Sequence, residues 1–147
     1  MKIEKKHAKP LLIATLIIAV VAHELFYLYS LPPIVRHSYL SKNFSEKATH
    51  WSWGMDPIAK QYVHKGRSKQ EMLDFISRNA LSISPNLYRS NSDKERYEEI
   101  LIAYKHFRPI IFDFNFYMLG KYTFGIRFNF NNGLLEDFRS SVRIQTI

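Results

Sequence analysis

The chain has 147 residues, 46% of them hydrophobic, with no cysteine and a formal net charge of +8. That length fits one small domain, and the missing cysteine excludes a disulfide framework, a thiolate zinc site and a lipid anchor on cysteine. The apolar residues are distributed unevenly, because 17 of the 21 residues in the range 11–31 are hydrophobic. The composition therefore predicts one membrane-spanning segment joined to an ordinary small domain.

Residues 1–10 form a basic flank of net charge +3 directly before the apolar segment 11–31. Twenty-one helical residues cover about 31 Å, enough to cross the hydrocarbon core of a bilayer. Burying the Glu24 carboxylate costs about 2.5–3.5 kcal/mol, and the larger aliphatic side chains and phenylalanine of the segment offset this cost with about 4–7 kcal/mol. A basic flank before such a helix predicts a signal anchor that contacts membrane lipid and keeps its amino terminus in the cytoplasm.

The alternative for this segment is a cleaved signal peptide, with residues 11–21 as its apolar core and Ala22 at the cleavage site. Cleavage there would expose a strongly apolar new terminus at residues 25–29, and no polar residues precede Ala22 as a cleavage region requires. We therefore expect an uncleaved anchor.

Residues 32–55 begin with two prolines and are rich in serine, lysine and asparagine, which predicts a linker between the anchor and an external domain, residues 56–147. That domain opens with two short helices. Asp56 is the predicted N-cap of the first helix, which Gly66 ends, and Ser68 with Glu71 forms a capping box that starts the second helix.

Residues 92–106 fit two secondary structures. Ser92 and Glu95 form a second capping-box pattern, and apolar residues follow at helical spacing, so the sequence predicts a helix over this range. Ile100, Ile102 and Tyr104 also alternate as they would in a strand, which leaves a strand open as the alternative.

From residue 110 the apolar period changes to two, and phenylalanine occupies many of the alternate positions. The pattern predicts strands over 110–118, 122–130 and 134–144, and a tight hairpin at Asn131–Gly133 joins the last two. The predicted fold class is α+β: an N-terminal transmembrane helix, then two or three helices packed on a three-stranded antiparallel meander.

Two stretches of this pattern, Gly66–Met72 and Thr123–Leu135, resemble the SmpA/OmlA (BamE-like) family of small envelope domains over about residues 56–140. In that family a short helix ends in glycine, a Ser/Thr-capped helix follows, and alternating strands finish in phenylalanine and a turn glycine. Family members are commonly lipoproteins, whereas this chain has no cysteine to acylate and carries a helical anchor instead. The resemblance implies a non-catalytic helper domain that docks on other envelope proteins.

The sequence shows no catalytic constellation, so we expect no enzyme activity, no cofactor and no metal site. No two of the six histidines stand three or four residues apart, and both a phosphate-binding glycine loop and a Gly-x-Ser-x-Gly motif are absent. Asp113 and Asp137 share the predicted polar sheet face with Arg127 and Arg139, which predicts cross-strand ion pairs. The basic residues are scattered along the chain, so nucleic acid is not an expected partner.

These observations predict a single-pass protein of the bacterial inner membrane whose periplasmic domain binds another envelope protein. The expected binding surface is the polar face of the sheet, because tyrosine and arginine dominate interface energies. Its predicted residues are Asp113, Asn115, Tyr117, Arg127 and Asn129. Two alternatives remain: an immunity-type inhibitor of a toxin that acts in the periplasm, and a small enzyme, for which a pocket would have to unite Asp113, Asp137 and a histidine.

Overall fold

The computed structural model describes residues 5–42, 48–49, 52–84, 97–111, 113 and 120–145, and the chain divides into two compact units at Leu31. The first unit contains helix α1, Lys5–Ser30. Its portion Lys9–Ser30, 22 residues, is long and apolar enough to cross a membrane. This agrees with a single membrane-spanning segment near the amino terminus.

The second unit, residues 32–147, is an α+β domain, as predicted. Its helices are α2 (Pro33–Ser41), α3 (Asp56–Ala59) and α4 (Lys69–Arg78). Its strands are β1 (Ala48–Thr49), β2 (Ser52–Gly54), β3 (Ser82–Ile83), β4 (Glu99–Phe107), β5 (Lys121–Asn131) and β6 (Leu134–Gln145). Within the described residues they form one antiparallel sheet in the order β1-β2-β6-β5-β4-β3, which is larger than the predicted three-stranded meander.

The centre of the sheet is the meander β4-β5-β6, and one of its faces is the core of the domain. Alternate residues of β5, among them Phe124 and Phe128, are fully buried on this face. Helix α4 packs against them, since the rings of Phe75 and Phe128 meet edge to face with centroids 6.3 Å apart. The β5–β6 turn has positive φ at Asn132 and Gly133, which confirms the predicted hairpin and suits its asparagine-glycine sequence.

Two predictions about the chain before this hairpin are wrong. Residues Glu99–Phe107 form the nine-residue strand β4, which pairs with β5 along its whole length, so the predicted helix over 92–106 is wrong there and the strand alternative is confirmed. The apolar residues of this range fit helical spacing, but they also alternate as a strand requires. Pairing with the central strand β5 favours the strand and overrides the local preference for a helix. Residues 110, 111 and 113 lie in a turn and a bend rather than in a strand, and the rest of the range 110–118 lies outside the described residues.

The segment predicted as a linker instead supplies structure to the domain. It contains α2, β1 and β2, and the α2 residues Ile34 and Val35 are fully buried. The two prolines that end α1 also start α2, because proline is well suited to the first turn of a helix. A short polar stretch therefore carries enough apolar residues at helical spacing to contribute to the core.

Of the two predicted short helices, the second begins as predicted and the first differs in its capping. Helix α4 begins as predicted: the Ser68 hydroxyl accepts the Glu71 N–H at 3.3 Å, and the Glu71 carboxylate accepts the Ser68 N–H at 2.8 Å. Helix α3 is only four residues long, and Asp56 lies inside it without capping it. The Asp56 carboxylate instead accepts the Ser140 N–H of β6 at 2.6 Å, so it ties the helix to the sheet.

Candidate functional site

The candidate site lies on the sheet face opposite the helices. Residues that pair directly across antiparallel strands point to the same side, so the register assigns each residue to a face. The pairs Thr123–Arg143, Gly125–Ser141 and Arg127–Arg139 join β5 and β6 on this face. We call this side of the sheet the open face. By the register it includes Gly54, Ile102, Tyr104, Thr123, Gly125, Arg127, Asn129, Asp137, Arg139, Ser141 and Arg143.

A row of small residues crosses the open face at right angles to the strands. Gly54 of β2 pairs with Ser141 of β6, which pairs with Gly125 of β5, and Tyr104 of β4 stands at the end of the row. A Cβ atom built on Gly125 would meet no atom within 4 Å, so the space above it is open. The row forms the floor of a groove with a volume of about 560 Å³.

Arginines stand on both sides of this floor. Arg143, beside Thr123, lines one wall, and Arg127 and Arg139 line the other. The pairing of Arg127 with Arg139 sets two like charges directly opposite each other, which costs stability in a sheet. We name the cavity with this floor and these walls the arginine groove.

The acidic groups near the arginine groove are already engaged. Asp56 is the acidic residue that lines it, and its carboxylate accepts both the N–H and, at 3.4 Å, the hydroxyl of Ser140. Asp137 on the same face lies 3.3 Å from the Lys65 ammonium. Within the described part of the chain, the exposed Arg139 and Arg143 pair with no carboxylate. The groove therefore presents positive charge to solvent.

A second polar cluster is buried on the core side. The Lys42 ammonium lies 2.8 Å from the Asp113 carboxylate, which also accepts the hydroxyl of Tyr39 at 2.7 Å and that of Tyr122 at 3.2 Å. Lys42 additionally lies 4.3 Å from the centre of the Tyr39 ring. We call these four residues the buried cluster; both charged side chains are less than one tenth exposed.

Burial raises the pKa of the Tyr39 hydroxyl, so this group stays protonated and acts as a donor to Asp113. The same oxygen accepts the Ile110 N–H at 3.1 Å. The buried cluster thus connects Ile110 and Asp113, which follow β4, to α2 and β5. Its groups pair with one another, as in a buried polar network that holds elements of a fold together.

The five predicted binding residues do not lie together on one surface of the described structure. Arg127 lines the arginine groove. The Asp113 carboxylate belongs to the buried cluster and does not project from a strand. Asn129 is on the open face, as its alternation predicted, but it is fully buried, so the expectation that it faces solvent is wrong. Asn115 and Tyr117 lie outside the described residues, and the binding role of the set stays a prediction.

The expected ion pairs of the sheet are also different. Asp113 pairs with Lys42 and Asp137 pairs with Lys65, whereas the predicted partners were the sheet arginines Arg127 and Arg139. Alternation along a strand gives the face of a residue, but the partner depends on which elements lie beside that face. Lys42 belongs to the predicted linker, so no pattern within the strands could indicate it.

Sequence reasoning missed most of the arginine groove. Arg139, Ser141 and Arg143 occupy alternate positions of the predicted third strand, and this polar alternation was the available signal. This alternation alone does not predict a groove. The groove depends on the strand register, which places Gly125 and Gly54 beside Ser141.

Comparison with known proteins adds no relative: no family model, no curated protein and no solved structure matches this chain. The resemblance to the SmpA/OmlA family stays a prediction.

Proposed function

We propose that this chain is a single-pass protein of the bacterial inner membrane whose periplasmic domain binds another envelope protein without catalysing a reaction. The observation that carries the proposal is the arginine groove, a concave and positively charged surface on the sheet face opposite α2 and α4. Arginine and tyrosine are the residues that contribute most to protein interfaces, and the groove contains three arginines and Tyr104.

The arrangement of the carboxylates supports binding over catalysis. A small enzyme that used Asp113 and Asp137 for acid–base chemistry would need both carboxyl groups beside one reacting atom. Asp113 contacts Tyr122 on the core side of the sheet, whereas Asp137 lies on the open face, and each carboxylate is paired with its own lysine. The pocket that a small enzyme would require is therefore not formed by these two residues.

The membrane location rests on α1 and on the charge before it. The helix has the length and composition of a membrane span, and the basic flank at residues 1–10 favours a cytoplasmic amino terminus. An anchor of this kind would hold the open face near other proteins of the same membrane and reduce the entropy cost of meeting them.

Site-specific photo-crosslinking in cells tests this proposal. A photoreactive amino acid at Thr123, beside the groove, is expected to give one discrete protein adduct, and the same amino acid at the exposed Arg78 on α4 is expected to give none. Adding Arg139→Gln and Arg143→Gln should weaken the Thr123 adduct. Equal adducts from both positions, or a Thr123 adduct that ignores the arginine changes, would show that the groove is not the binding surface. An adduct with a toxin would identify the chain as an immunity-type inhibitor.

A further inference from the structure

We infer that the arginine groove holds an extended segment of the partner protein that carries two adjacent acidic residues, one directed to each wall. This inference rests on the proposed function and specifies the chemistry of the partner. It follows from the direction of the groove, the spacing of its walls and its charge.

The dimensions of the groove fit a short piece of extended chain. Its floor crosses β2, β6 and β5, so it is about 10 Å long at the usual spacing between strands. That length accommodates about three residues of an extended peptide. Arg139 and Arg143 are four residues apart on one strand, which separates their Cα atoms by about 14 Å. A peptide backbone therefore fits between the walls with its side chains directed outward.

The alternation of side chains then determines the acidic pattern. In an extended segment, successive side chains point to opposite sides. When such a segment lies along the floor, one residue faces Arg143 and the next faces Arg127 and Arg139. Two adjacent carboxylates thus satisfy both walls, whereas two carboxylates separated by one residue reach the same wall.

Charge complementarity selects carboxylates as the groups on those side chains. At each wall an exposed arginine, Arg139 or Arg143, pairs with no carboxylate of the described residues, so a carboxylate of the partner can bind there. Guanidinium groups bind carboxylates through paired, charge-assisted hydrogen bonds. The hydroxyl of Ser141 is on the floor and can bond the peptide backbone of the segment, whereas the Thr123 hydroxyl already pairs with the His106 ring at 2.8 Å.

Two labelled peptides of identical composition test the inference on the full chain in phosphatidylcholine nanodiscs. One is Gly-Ser-Glu-Glu-Gly-Gly-Ser and the other is Gly-Ser-Glu-Gly-Glu-Gly-Ser, so their net charges are equal. Fluorescence anisotropy should show at least about tenfold tighter binding of the peptide with adjacent glutamates, since losing charge-assisted bonds at one wall costs about that factor. Arg143→Gln should remove the preference, Arg139→Gln should reduce it because Arg127 remains on that wall, and the matched change Arg78→Gln on α4 should leave it intact.

Other results would overturn the inference in distinguishable ways. Equal binding of both peptides that still depends on Arg139 and Arg143 rejects the adjacent-residue arrangement and leaves the proposed function intact. Absence of binding, or binding that neither arginine change affects, rejects an acidic segment as the occupant, and the crosslinking at Thr123 then decides the proposed function separately. Displacement of the peptide by phosphatidylglycerol vesicles would show that a lipid headgroup occupies the groove, and the inference would be wrong.

Discussion

At the scale of single residues, the buried carboxylate of Asp113 depends on the groups that pair with it. Its carboxylate is less than one tenth exposed, and the Lys42 ammonium and two tyrosine hydroxyls replace the lost hydration. A buried ion pair of this kind adds little net stability compared with an apolar replacement, but removing one partner leaves the other charge uncompensated. We therefore expect a substitution at Asp113 to lower the free energy of unfolding mainly because Lys42 loses its counter-charge, and less because hydrogen bonds are lost.

We expect Asp113→Asn to lower the free energy of unfolding by about 3–5 kcal/mol, because Lys42 would remain buried without a counter-charge. The matched change Asp137→Asn removes an ion pair whose side chains are 63% and 31% exposed, and it should cost less than about 1 kcal/mol. Denaturant unfolding of the full chain in detergent, followed by tryptophan fluorescence, measures both. Equal costs for the two variants would contradict a specific role for the buried cluster.

At the scale of the element, α4 is the helix whose limits are most completely encoded in its own sequence. Its capping box satisfies backbone donors that would otherwise be unpaired, and Phe75 and Ile76 on its apolar side are buried. Arg67, just before the helix, donates to the Glu71 carboxylate at 2.5 Å. That bond is the main reason why the pKa of Glu71 lies below its usual value, and the bond from the Ser68 N–H adds to it.

The lowered pKa of Glu71 makes the stability of α4 depend on pH. A carboxyl group with a lower pKa in the folded state contributes stability above its unfolded pKa and loses that contribution as the pH falls through the folded value. Glu71→Gln keeps a capping side chain but removes the charge. The melting temperature of this variant should lie below that of the parent at pH 7, and the difference should shrink below about pH 4. A difference that stays constant over this range would contradict the role of the charge.

At the scale of the whole molecule, two units with different environments share one chain. The first has an apolar helix with few charged residues, and the second has a sheet with a core face and a polar face. Residues 1–10 carry +3, residues 11–35 carry −1 from Glu24, and residues 36–147 carry +6. In the proposed function, the charge of residues 1–10 orients the anchor, and residues 36–147 include the three arginines proposed to bind the partner.

Because the chain has no cysteine, single cysteine variants can report its topology without background labelling. In cells with a permeabilised outer membrane, Lys60→Cys should react with an impermeant maleimide, and Lys2→Cys should react only after lysis. The labelled protein should keep its full length and remain in membranes after carbonate extraction. A product cleaved after Ala22 that washes off the membranes would show that the segment is a signal peptide.

The sequence by itself determined the features that depend on neighbouring residues. The apolar helix, the capping box of Ser68, the Asn132–Gly133 turn and the faces of the β5 side chains each follow from local spacing and residue type. Tertiary structure decided the rest. Whether residues 99–107 form a strand, whether Asn129 is exposed and whether Asp113 meets a lysine depend on elements distant in the chain, which local periodicity does not report. The arginine groove likewise exists only because strand register aligns small residues from three strands between arginines from two of them.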